Sequence, residues 1–218
     1  MLNIFIVIAA VILLAVLLCF ERARDYRGVL PVKTGLSCLF VLTALVQPHP
    51  LQRYYFLMLA GLIFCLGGDV FLALQREKAF LSGLVSFLLG HVCYAVAFFQ
   101  IGTLNAWLWG GAAGCVILGA VIYSWLYPRL GDMKLPVFLY VLVISAMVAG
   151  AFSSFGATRH PTPGRLLVLS GALLFYFSDI FVARDRFMQN AFSNRLIGLP
   201  VYYLGQFLLA FSIGLVGN

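Results

Sequence analysis

The run Leu2-Asn-Ile-Phe-Ile-Val-Ile-Ala-Ala-Val-Ile-Leu-Leu-Ala-Val-Leu-Leu-Cys-Phe20 holds one amide and no charge. A bilayer-crossing helix needs roughly 17–25 such residues. The pattern repeats along the chain and predicts eight spans: Leu2–Phe20, Val29–Gln47, Phe56–Leu74, Phe80–Ile101, Trp107–Tyr127, Leu135–Phe155, Leu166–Ala183 and Ile197–Val216. Short connections marked by Pro, Gly or charge separate them. No connection is long enough to fold alone, so the expectation is one helical domain over residues 1–218. A transmembrane barrel would show tilted segments of about 10 residues with alternating polarity, and none appears.

Composition agrees. Of 218 residues, 63% are hydrophobic and only 10% charged, against about 25% charged in an average soluble domain. Too few charged side chains exist to clothe a water-soluble surface. The net charge of +7 comes from scattered loop residues without a basic stripe, so nucleic acid is not an expected partner. All five cysteines lie in apolar runs without C-x-x-C spacing and read as small hydrophobes. The first span lacks a basic leader and a small-residue cleavage site, and Glu21-Arg-Ala-Arg24 follows it. It reads as a retained helix rather than a cleaved signal.

Basic residues orient the bundle. Connections 1–2, 3–4, 5–6 and 7–8 hold Arg22, Arg24, Arg27, Arg76, Lys78, Arg129, Lys134, Arg184, Arg186 and Arg195, whereas the opposite face has Arg53, Arg159 and Arg165. The positive-inside rule puts the first face in the cytoplasm and both termini outside it. Gly68-Asp69-Val-Phe-Leu-Ala73 and Ser178-Asp179-Ile-Phe-Val-Ala183 end spans 3 and 7, and Leu89-Gly-His91 and Leu204-Gly-Gln206 follow in spans 4 and 8. That order fits two repeated four-helix halves related by an axis along the membrane normal.

An ionisable residue inside a span costs about 2.5–3.5 kcal/mol on insertion scales. Lys33, Asp69, His91 and Asp179 are the ones present, with Tyr94, Ser178, Tyr202, Tyr203 and Gln206 as polar neighbours. Topology brings Lys33, Asp69 and Asp179 to the cytoplasmic third and leaves His91 and Gln206 nearer mid-depth. One polar pocket facing the cytoplasmic leaflet follows. The plainer reading has Lys33 paired with one aspartate to fix helix packing, His91 hydrogen-bonded between helices, the tyrosines packed, and Gln206 tying helices together. Yet one lysine cannot neutralise two aspartates. A carboxyl withdrawn from water beside another carboxylate can act as an acid near neutral pH.

The stretch Leu59-Ala-Gly-Leu62, then Gly68-Asp69, Gly83 and Leu89-Gly-His91-Val-Cys-Tyr94, resembles the YhhN-like lysoplasmalogenase family. So do Phe177-Ser178-Asp179 and Tyr202-Tyr203-Leu-Gly-Gln206. Lys33 matches a lysine near the start of span 2; some bacterial relatives have Pro after it, where Thr34 stands here. The resemblance implies a hydrolase of the inner membrane in a bacterium, or of the endoplasmic reticulum in a eukaryote. Its substrate would be a lysoplasmalogen within the membrane lipids, cleaved at the vinyl ether to a fatty aldehyde and glycerophosphoethanolamine or glycerophosphocholine. That chemistry needs an acid, an anion to stabilise an oxocarbenium ion, and a base for water, which two carboxylates can supply.

On this reading Asp69 and Asp179 are acid and base in either order, and His91 and Tyr94 position water or the acid. Lys33 binds the phosphate or tunes the aspartates, and Ser178, Tyr203 and Gln206 hold glycerol and headgroup. No metal or organic cofactor is expected; a metal would have to be built from Asp69, Asp179 and His91. Two rivals stand beside it. An intramembrane aspartyl protease would show Tyr-Asp and Gly-x-Gly-Asp, and neither Ser178-Asp179 nor Leu66-Gly67-Gly68-Asp69 conforms. A small lipid or metabolite transporter shares the parallel repeats and polar interior, and Pro200 is the proline placed to break a helix. Gly110-x-x-x-Gly114 permits close helix approach but fixes no oligomeric state.

Overall fold

With no water in the hydrocarbon core, backbone N–H and C=O groups must pair within their own segment, which makes each apolar run a helix. The computed structural model describes residues 1–74 and 76–217, and of Glu77 the backbone alone. Its helices are α1 (Leu2–Ala23), α2 (Tyr26–Val46), α3 (Gln52–Ala73), α4 (Glu77–Ile101), α5 (Ala106–Leu126), α6 (Lys134–Phe155), α7 (Thr162–Phe187) and α8 (Phe192–Ser212), with no strand among the described residues. At about 1.5 Å per residue, even the 21-residue helices are about 32 Å long.

Seven of these helices, α1 to α7, are long and apolar enough to cross a membrane. The sequence reading counted eight. α8 falls short because Asn194, Arg195, Tyr202, Tyr203 and Gln206 dilute its apolar character. Four of those five side chains are buried within the bundle. α8 also runs Phe192–Ser212, four to five residues earlier than the expected Ile197–Val216. Its polar first turn looks like a loop in sequence because it faces protein rather than lipid. α7 likewise continues to Phe187, one turn past the expected Ala183.

Each helix packs on the next within α1–α4 and again within α5–α8; α8 also touches α1 and α3 across the halves, which meet in addition through α2 on α8 and α4 on α6. Exchanging the halves turns one of these last two contacts into the other. Small residues set the closest approaches. A Cβ on Gly90 would lie 3.1 Å from the Gly61 carbonyl oxygen, and one on Gly205 would lie 3.0 Å from that of Gly171. Nearer the site, a Cβ on Gly83 would come within 3.4 Å of the Gly68 oxygen, and one on Gly198 within 3.8 Å of the Ser178 oxygen. Pair α3/α4 and pair α7/α8 therefore cross at matching positions.

Outward faces carry exposed Ile4, Phe5, Val11 and Ile12 on α1 and Val116, Ile117 and Val121 on α5, as lipid contact requires. Trp107 and Trp109 are exposed at the start of α5 and Trp125 and Tyr127 at its end, where aromatic belts form. Pro31 and Pro200 lie inside α2 and α8, and both helices run on through them. Thr34 keeps its backbone N–H where a proline would lose it, and its hydroxyl donates to the Leu30 carbonyl at 2.8 Å.

Candidate active site

α2 and α3 bring Lys33 and Asp69 together, Nζ to Oδ1 at 3.2 Å, with Asp69 only 1% exposed. The other carboxylate oxygen accepts two hydroxyls: Ser37 from α2 at 2.6 Å and Tyr202 from α8 at 2.7 Å. A buried carboxylate thus has one cation and two further donors, which is how a charge is kept in low dielectric. A brace extends behind it. Gln206 donates from Nε2 to the Tyr202 hydroxyl at 3.2 Å, and Tyr94 donates to Gln206 Oε1 at 2.9 Å. The Tyr203 hydroxyl sits 3.2 Å from Ser37 Oγ and 3.4 Å from the Lys33 carbonyl oxygen.

Asp179 occupies the matching place on α7 with other company. It accepts one hydroxyl, from Tyr140 of α6 at 2.6 Å. No cationic side chain among the described residues lies within ion-pair distance, and its Oδ1 has no donor there. The residue as a whole is half-buried. Phe87 stands on α4 where the glycine register puts Tyr202 on α8, and it packs edge-to-face against Tyr202 at 6.0 Å. One helix pair therefore contributes a hydroxyl where the other contributes a phenyl ring.

Both aspartates line one cavity of about 460 Å³, together with Lys33, Tyr140 and Tyr202. That volume lies in the range of roughly 300–1,000 Å³ that small-molecule sites occupy. Leu84, Phe87, Ile122, Leu126, Val137 and Ile144 supply an apolar wall, and the mouth lies among Arg76, Arg186, Gln189 and Asn190. This is the end that carries the connections rich in lysine and arginine. At its rim Arg195 pairs with Glu21 of α1 at 3.4 Å and with Asp185 of α7 at 2.9 Å. Asp185 also accepts the Ala191 N–H at 3.1 Å, which ties down the turn between α7 and α8.

The YhhN family matches residues 29–213, the stretch that holds every one of these cavity residues except Glu21. The chain belongs to the YhhN family. Lysoplasmalogenase TMEM86A of Bos taurus is 34% identical over 168 residues, covering 75% of this chain and 66% of its own length. The lysoplasmalogenase of Mycobacterium bovis is 29% identical over 173 residues, 77% of this chain and 62% of its own. An uncharacterized membrane protein YhhN of Escherichia coli O6:H1 is 25% identical over 180 residues, covering 82% and 84%. The match thus spans just under two thirds of the bovine and mycobacterial proteins. No solved structure matches the chain.

In this YhhN-family bundle, the residues singled out from sequence do not all reach the cavity. Lys33, Asp69 and Asp179 line the cavity. Tyr94, Tyr203 and Gln206 are buried behind it in the hydrogen-bonded brace of Asp69. Ser178 turns back to its own helix, donating to the Phe175 carbonyl at 2.7 Å. His91 is fully buried, and neither ring nitrogen has a hydrogen-bond partner among the described residues. Its ring meets Tyr140 edge-on at 5.2 Å and Phe175 at 4.5 Å, so it touches the hydroxyl carrier of Asp179 rather than the cavity. Sequence reasoning missed Ser37 and Tyr140. Ser37 follows Lys33 by four residues and so shares its helix face, a signal that was present. Tyr140 carried none.

Proposed function

We propose that this protein is a membrane-embedded hydrolase that cleaves the vinyl-ether bond of lysoplasmalogens, releasing a fatty aldehyde and glycerophosphoethanolamine or glycerophosphocholine. The observation that carries the reading is the unlike treatment of two aspartates on one cavity. Asp69 receives a cation and two hydroxyls, and Asp179 receives one hydroxyl. The names of the bovine and mycobacterial relatives support the choice of substrate.

The unlike surroundings divide the labour. Asp69 is the anion, and Asp179, with a bare oxygen towards the cavity, carries the proton. Asp179 transfers that proton to the β-carbon of the vinyl ether as the C=C π pair forms the new C–H bond. The resulting oxocarbenium ion is stabilised by Asp69, as in glycosidase chemistry. Water adds to the cationic carbon and gives its proton to the Asp179 carboxylate. The hemiacetal then loses its glycerol oxygen, protonated by the same carboxyl, while its own hydroxyl proton passes back to Asp179 to leave the aldehyde and the protonated acid. One water is consumed and both aspartates return to their starting states. Tyr140 aims Asp179, and Tyr202 aims Asp69 with Gln206 and Tyr94 behind it. His91 fixes the ring of Tyr140. Lys33 serves the charge of Asp69, while the alkenyl chain lies along the apolar wall.

In this reading α8 completes an eight-span bundle of two repeated halves, and the cavity opens towards the cytoplasmic leaflet. Hydrolysis in heavy water tests the chemistry. Protonation at carbon must place one deuterium at C2 of the released aldehyde, which mass spectrometry reads. Aldehyde without deuterium, or none from well-folded protein, would refute the mechanism.

A further inference from the structure

The cations lining the cavity are not equally occupied. Lys33 is engaged by Asp69, and Arg195 by Glu21 and Asp185. Arg76 and Arg186 also line it, are exposed, and have no carboxylate partner among the described residues. Each follows an aspartate by seven residues, Arg76 after Asp69 and Arg186 after Asp179. On the continuous helix α7 that spacing is about 10.5 Å of rise. The two arginines also share a corner. The Arg186 guanidinium lies 4.5 Å over the ring of Phe80, and the Phe80 N–H donates to the Arg76 carbonyl at 2.9 Å. Stacking on Phe80 holds the Arg186 guanidinium one turn from the backbone of Arg76, the residue just before α4.

In a single-chain alkenyl phospholipid, six bonds separate the vinyl carbon next to oxygen from the phosphorus, about 7 Å when extended. A vinyl ether held between the aspartates would therefore put its phosphate towards the mouth, within reach of arginine side chains coming from two turns above. Guanidinium groups suit phosphate oxygens because their paired N–H donors match two oxygens at once. We propose that Arg76 and Arg186 form a phosphate clamp at the cavity mouth that selects phosphodiester-bearing single-chain ether lipids over phosphate-free ones. The inference rests on the hydrolase reading for its substrate and replaces Lys33 as the phosphate ligand.

Binding tests the clamp without requiring turnover. Purified protein in phosphatidylcholine nanodiscs would be titrated with an alkyl-ether lysophosphoethanolamine, which cannot be cleaved, and with the phosphate-free alkylglycerol of equal chain length. Wild type is expected to bind the phospholipid at least about tenfold more tightly, and excess soluble glycerophosphoethanolamine should compete. Arg76→Gln/Arg186→Gln should bring the two affinities within about twofold of each other, whereas Arg129→Gln, on the same face outside the cavity, should keep the preference. Both clamp residues are exposed, so folding is expected to survive, and Arg76→Lys/Arg186→Lys should retain part of the preference. Equal binding of the two lipids by wild type, binding of neither, or an undiminished preference in the double Gln variant would each overturn the clamp. Phospholipid binding lost in the Gln variant, with no aldehyde ever released from a vinyl ether, would instead overturn the hydrolase reading and leave the clamp standing.

Discussion

Asp69 differs from Asp179 in what surrounds it, and that difference can be measured through Lys33. Removing one partner of a buried ion pair leaves an uncompensated charge, at a cost of about 3–5 kcal/mol. Lys33→Met is therefore expected to lower the thermal midpoint in detergent by many degrees. Adding Asp69→Asn should recover much of that loss, since the amide needs no cation. A full double-mutant cycle by thermal unfolding checks this; additive losses would mean the two side chains are not coupled. Lys33, Asp69 and Asp179 were legible in sequence because a charge inside an apolar run is conspicuous. Tyr140 was not. It is one of ten tyrosines and acquires a role only when α6 is laid against α7, which no spacing along the chain reveals. His91 was legible as a buried polar group, but its separation from the cavity by Tyr140 was not.

At the scale of helices, the site depends on how closely α7 approaches α8, because α8 brings Tyr202 to Asp69. A Cβ on Gly171 would sit 2.9 Å from the Gly205 carbonyl oxygen and 2.8 Å from Leu209. Gly171→Val should force the pair apart, cost about 1–3 kcal/mol as overpacking does, and reduce turnover by displacing Tyr202. Gly110 meets no atom within 4 Å of an added Cβ, so Gly110→Ala should leave both thermal midpoint and turnover unchanged. Equal effects of the two substitutions would contradict this packing. The sequence signals the helices well because hydrocarbon allows few alternatives for an apolar run. It misleads at the start of α8, where Asn194 and Arg195 face Gln189, Asp185 and Glu21. A polar turn that binds protein cannot be told from a loop until its partners are placed.

Across the whole molecule, the neighbour pattern of α1–α4 recurs in α5–α8, and the glycine crossings recur with it. The chemistry does not recur: hydroxyl and cation gather at Asp69, and Phe87 holds the place that corresponds to Tyr202. Two carboxyls in unlike surroundings on one cavity are what the proposed acid and anion roles require. On the proposed function, the apolar wall and the basic mouth would orient a single-chain lipid with its ether at the aspartates.

The most direct measurement is aldehyde release by purified protein from lysoplasmenylethanolamine, beside its saturated alkyl-ether analogue and a monoacyl lysolipid. Wild type should turn over the vinyl ether alone. Asp179→Asn, which cannot deliver the proton, should fall by about 10²–10⁴-fold, and Asp69→Asn, which cannot supply the anion, should also lose turnover when assayed below the thermal midpoint that its unpaired Lys33 lowers. Cleavage of the alkyl ether or the ester, undiminished turnover in either variant, or no aldehyde from folded wild type would contradict the two-aspartate vinyl-ether hydrolase.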